Sequence, residues 1–112
     1  MEIVDSIFQL LLDVNKSEKL DHKFELNYVK SYIGLFEDGI SRPFISFRPS
    51  KMQGVYMAVP ETIFSDDLLN QMNKSGFTPS GKFICIKSKH LDNEINKDVL
   101  RKVIKLSYIK TH

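Results

Sequence analysis

The sequence predicts an α+β fold, a two-layer sandwich in which an antiparallel sheet of about four strands carries helices on one face, in the order α-β-β-β-α-β-α. Three observations carry that expectation. Stretches near both ends repeat apolar residues at helical spacing. A central run of short aromatic and β-branched segments is punctuated by Asp-Gly, Pro and Gly. No repeat, low-complexity run or linker divides the chain, so residues 1–112 read as a single domain with one modest core.

Over residues 2–14, Ile3, Ile7, Leu10 or Leu11, and Val14 recur on one side, with Val4, Phe8 and Leu12 widening the stripe, which predicts a helix with a broad apolar face. Residues 15–21, "NKSEKLD", read as a polar connector. The following "HKFELNYVK" carries no decisive pattern and reads as a loop or an irregular strand. Tyr32 to Glu37 alternates as a strand and runs into Asp38-Gly39, a dipeptide suited to a hairpin because both residues tolerate positive φ. A second strand over 44–48 starts just after Pro43, which lacks a ladder donor, and a third over 55–59 follows the "RPSKMQG" loop. Ser65 then caps a helix whose first turn holds Asp66 and Asp67, with Phe64 placed to staple onto Leu69 and Gly76 placed to end it. "KFICIK", 82–87, is the fourth strand. Asp92 or Asn93 caps a last helix from Glu94 to about Lys110, with Ile95, Val99, Val103 and Leu106 as its buried stripe and Leu100 and Ile109 beside it.

The hydrophobic fraction of 42% and charged fraction of 27% are those of a folding domain rather than a disordered one. A lone cysteine, Cys85, excludes an intramolecular disulfide and gives no reason to expect an oxidising compartment. The opening "MEIVDSIFQLLLDV" is acidic where a signal peptide is basic and falls short of the roughly 20 apolar residues of a bilayer span, so a soluble, cytoplasmic protein without a membrane partner is expected. The net charge of +2 conceals an asymmetry: residues 1–81 hold 8 basic against 11 acidic side chains, and residues 82–112 hold 8 against 3.

Catalytic signatures are scarce. None of His22, His90 and His112 has a second His or Cys as metal-ligand partner at i+2 to i+5, the glycines fall at turns rather than in a phosphate loop, and Cys85 lies mid-strand as a small apolar residue would. A non-enzymatic protein with no cofactor and no metal is expected. An enzyme using His90 or Cys85 is the least supported reading.

Two features point to binding. Lys97, Arg101 and Lys105 recur at i, i+4 with Lys102 alongside, giving the last helix a cationic stripe: either an ordinary solvated face or the footprint of a polyanion. The strands are also apolar on both faces: Phe44, Ser46 and Arg48 oppose Ile45 and Phe47, Tyr32 and Phe36 oppose Ile33 and Leu35, and Tyr56 and Ala58 oppose Val55, Met57 and Val59. Alternation alone leaves open which set faces outward. The outward set is covered by the first helix or the segment around Phe24 to Tyr28, by a second copy of the chain, or by a ligand, with Tyr32, Phe44 or Tyr56 stacking on bases and Arg48 and Lys51 reaching phosphate.

"YIGLFEDG" running into "RPFISFRPSKMQGVYMAVP", then a helix, "SGFTPSGKFICIK" and a closing helix ending in "KLSY", resembles the MmcQ/YjbR-like group of small bacterial proteins over about residues 30–110. Phe83 matches the group's aromatic before its late strand, commonly a tryptophan there, and Ser107-Tyr108 its terminal pair. The resemblance implies a frataxin-like or double-wing fold, often described as DNA-binding, with residues 38–43 and 49–54 as the wings. The combined expectation is nucleic-acid binding through Arg48, Lys51, Lys97, Arg101, Lys102 and Lys105. The alternative is a homodimer or protein-interaction module using Tyr32, Phe44 and Tyr56.

Overall fold

In a computed structural model, which describes residues 2–29, 32–49 and 54–111, the chain is an α+β fold built on a five-stranded antiparallel sheet. Helix α1 (Glu2–Ser17) is followed by β1 (Phe24–Val29), β2 (Tyr32–Glu37), β3 (Ile45–Pro49) and β4 (Val55–Ala58). A 3-10 turn at Glu61–Ile63 and helix α2 (Asp66–Lys74) lead to β5 (Phe83–Ile86), and a second 3-10 turn at Ser88–Leu91 leads to helix α3 (Glu94–Thr111). The strands lie in sequence order across the sheet. None of the described helices is long and apolar enough to cross a membrane.

The fifth strand is β1, in the segment that carried no decisive pattern. Phe24, Leu26 and Tyr28 alternate with Glu25 and Asn27, and the strand pairs with β2 from Phe24↔Glu37 to Val29↔Tyr32. Its polar alternate residues and edge position make it read weakly, because an edge strand faces water on more sides than a central one. The Asp38-Gly39 hairpin is also longer than a two-residue turn. Ile40 N–H bonds Glu37 C=O at 3.0 Å and only Gly39 takes positive φ, so the dipeptide forms one turn within a wider loop that closes where Phe44 N–H reaches Leu35 C=O.

Register settles the two faces. Ile33↔Phe47, Leu35↔Ile45, Phe47↔Met57, Val55↔Ile86 and Met57↔Ile84 are cross-strand pairs, and the side chains of Leu35, Ile45, Phe47, Val55, Met57, Ile84 and Ile86 are all buried. They form one core with Val4, Ile7, Leu10 and Leu11 of α1, Leu68 and Met72 of α2, and Val99, Leu100, Val103, Ile104 and Tyr108 of α3. Each such side chain contributes about 1.5–3 kcal/mol on burial, which is why the shared face fixes the register. The α3 stripe is rotated from the expected one: Ile95 and Ile109 are exposed, and Ile104 and Tyr108 are buried in their place. The helix packs against both α1 and the sheet, so its buried face is wide and is centred by those two neighbours rather than by its most apolar line.

Helix ends follow local chemistry. Ser65 Oγ accepts from Leu68 N–H at 3.2 Å, Asn93 Oδ1 accepts from Asn96 N–H at 2.8 Å, and α2 closes at Gly76, φ 84°, with Phe77 N–H on Met72 C=O.

Candidate functional site

Every helix named above contributes to the core on one side of the sheet, so among the described residues the opposite face is left without a helix over it. Across it run Gly34↔Ser46↔Ala58↔Phe83 in one row and Arg48↔Tyr56↔Cys85 in the next. Neither α1 nor the segment around Phe24 to Tyr28 covers this face, because α1 packs into the core and that segment is β1. Its β2 end is filled from within the same strand. The Phe36 ring lies over Gly34, so close that a Cβ there would clash with Cε1 of the ring and stand 3.2 Å from Pro43 Cβ; Phe36 is only 8% exposed.

The β3 to β5 end stays open. Arg48, Tyr56, Ser80 and Phe83 line a cleft of about 400 Å³. Tyr56 and Phe83 meet edge to face, ring centroids 6.3 Å apart at 71°, and Tyr56 remains 39% exposed. Lys82 Nζ stands 5.5 Å from the centroid of the Phe83 ring. Neither Arg48 nor Lys82 forms an ion pair among the described residues. Cys85, expected as a buried apolar residue, is partly exposed on this same face beside Tyr56.

The expected site residues divide. Arg48 and Tyr56 meet at the cleft, and Tyr32, partly buried, precedes Ile33 of the core face and so belongs to the open side of β2. Lys51 lies outside the described residues. Phe44 is corrected: it is buried, stacked edge to face with Phe24 and Tyr108 at centroid distances of 5.7 Å. It immediately precedes β3, where the chain still bends in from the loop, so strand alternation does not apply to it.

The cationic stripe of α3 is on the surface but meets carboxylates throughout. Lys97 pairs with Glu94 at 3.6 Å, Lys102 with Asp67 of α2 at 3.7 Å, and Lys105 with Glu18 at 3.0 Å. Arg101 is a hub, 2.6 Å from Asp98 and 3.4 Å from both Glu94 and Asp13 of α1. Burial opposes its charge, but the hydrogen bonds to Asp98, Glu94 and Asp13 outweigh that and hold the guanidinium above its ordinary pKa. Four cations therefore face five carboxylates, and the local field is close to cancelled.

Two further clusters escaped the sequence reading. His22 Nδ1 lies 2.9 Å from Oε1 of Glu37, a carboxylate buried at the end of β2, and the Tyr108 hydroxyl donates to Glu37 as well. Burial first, then the charge and hydrogen bond of Glu37, raise the Tyr108 pKa. These residues are 86 positions apart at the extreme, and nothing local announces the meeting. His90, offered as a catalytic residue, is instead a structural tie: its Nδ1 accepts from Lys87 N–H at 2.9 Å, its Nε2 is 3.3 Å from Gly76 C=O, and its ring packs on Phe77 at 4.5 Å. Both ring nitrogens are engaged and Cys85 faces the other side of the sheet, so the two are not assembled as a pair.

The chain matches no family model, no curated protein and no solved structure.

Proposed function

We propose that this protein is a small binding module that takes nucleic acid on its open sheet face rather than on α3. The observation that supports the reading is the coincidence, at one cleft, of an aromatic pair, exposed Tyr56 and partly exposed Phe83, with Arg48 in its lining and Lys82 beside the Phe83 ring, cations that lack acidic partners among the described residues. Aromatic rings accept base faces and unpaired cations displace counterions from phosphate. The α3 cations, already matched by Asp13, Glu18, Asp67, Glu94 and Asp98, have less to gain from phosphate. A place among the MmcQ/YjbR-like proteins, with residues 38–43 as one wing, is compatible with this reading; most of the other expected wing, 49–54, lies outside the described residues.

Fluorescence anisotropy with labelled oligonucleotides between about 50 and 200 mM salt tests it. Arg48→Ala/Lys82→Ala is expected to lower the slope of log affinity against log salt by about two, whereas Lys97→Gln/Lys105→Gln leaves it unchanged. The reverse pattern places the contact on α3. The partly exposed Ala58, Phe83 and Cys85 beside Tyr56 favour a second reading, a homodimer through this face. Such a dimer persists at high salt and doubles the sedimenting mass without nucleic acid.

A further inference from the structure

Resting on the sheet-face reading, we infer that the ligand is a single strand and that one unstacked base sits in the cleft bounded by Arg48, Tyr56, Ser80 and Phe83. The cleft volume, about 400 Å³, falls in the range of small-ligand sites. Its aromatic walls stand at 71° to one another, so a flat ring can stack on one and meet the edge of the other. Two rings so arranged select a flat π-system over an aliphatic chain.

The rim is built and rigid. Ser80 and Phe83 exchange both backbone hydrogen bonds, 2.8 and 3.0 Å, around a tight turn in which Gly81 takes φ 59°. Those backbone groups are thereby used, and the Ser80 hydroxyl, which makes no hydrogen bond among the described residues, is left for a base edge or sugar. Arg48 stands directly across the ladder from Tyr56, on the next strand, where its guanidinium can reach the phosphate flanking a base stacked on that ring. Lys82, over Phe83, serves the next phosphate.

Pairing state follows from access. In a duplex the base faces are stacked inside, so a duplex resting on this face meets Arg48 and Lys82 only and gains nothing from Tyr56 or Phe83. A single strand offers both base face and phosphate. The one acid of β1 that shares the open face, Glu25, lies at the far edge of the sheet, its carboxylate 3.3 Å from the Asn27 amide. Arg48 and Lys82 thus favour β3, β4 and β5 over the β1 edge for the strand, with the Glu61 carboxylate beside Gly81 as an acid at the rim.

The test compares three labelled probes of equal length at about 50 mM salt: oligothymidylate, an abasic deoxyribose-phosphate strand and a duplex. Oligothymidylate is expected to bind roughly five- to a hundredfold more tightly than the abasic strand, the factor that one stacked base supplies. Tyr56→Ala should bring oligothymidylate down to the abasic level without changing abasic binding, and Tyr56→Phe, which keeps the ring, should retain it. Arg48→Ala should weaken all three probes. Equal affinity for all three, with Tyr56→Ala silent and Arg48→Ala weakening each, overturns the single-strand inference and leaves the sheet-face reading standing. Binding of none overturns both. A mass that halves on Tyr56→Ala with no probe bound assigns the face to a second copy and likewise overturns both.

Discussion

Lys19 holds φ 52° just past the end of α1, where Leu20 N–H closes back onto Asn15 C=O at 3.1 Å. That is the position at which helices favour glycine, because a Cβ crowds the backbone in the left-handed region. Lys19→Gly is therefore expected to raise unfolding free energy by about 0.5–1 kcal/mol, read from urea denaturation. His90 gives a second prediction at this scale. Burial first, then the nearby charges of Lys89 and Lys87, lower its pKa below 6.5, although the hydrogen bond to Gly76 C=O pulls the other way. With the folded value depressed, the unfolded chain binds the extra proton, so stability rises with pH. The contribution is full above pH 6.5 and is lost as pH falls from there through the folded value, at no more than about 1.4 kcal/mol per pH unit for one proton. Urea titrations from pH 8 to pH 5 should show that slope in the wild type and a shallower one in His90→Gln. His90 could be named from the sequence, but the Gly76 carbonyl and the Phe77 ring that define its role could not.

Among elements, the α1 to α3 contact adds charge to an apolar seam. Arg101 spans Asp13 on one helix and Glu94 and Asp98 on the other, with its side chain 28% exposed. Exposed pairs contribute little, so Arg101→Ala should cost about 1 kcal/mol at low salt and less at high salt, by thermal unfolding at two ionic strengths. The helix ends were legible beforehand because capping is local: Ser65, Asn93 and Gly76 act within five residues of themselves. The α3 stripe was legible as a row of cations. Its acids were not, since Asp13, Glu18 and Asp67 approach only once α1 and α2 have docked. β1 reads in the sequence only as a loop or an irregular strand for a related reason: an edge strand with Glu25 and Asn27 on alternate positions takes its identity from the neighbour it pairs with.

For the whole molecule, one core joins all three helices to the sheet, so unfolding should be a single cooperative event. Leu100, fully buried in that core, provides the test. Leu100→Ala should cost about 2–5 kcal/mol, with far-ultraviolet circular dichroism and tyrosine fluorescence shifting together. Two separated transitions would divide the helices from the sheet.

Composition, turn residues and apolar spacing determined the α+β class, seven of the eight regular elements in their correct order and type, all but β1, and the caps that bound two helices. These are short-range matters, settled by propensity and by periods of 2 and 3.6 residues. Which face of the sheet would be buried, that Phe44 would turn inward while Tyr56 stayed open, and that the α3 cations would be matched while Arg48, among the described residues, was not, were decided only by tertiary packing. The reason is that strand alternation is symmetric between faces, and Coulomb interactions depend on distances that chain order does not contain.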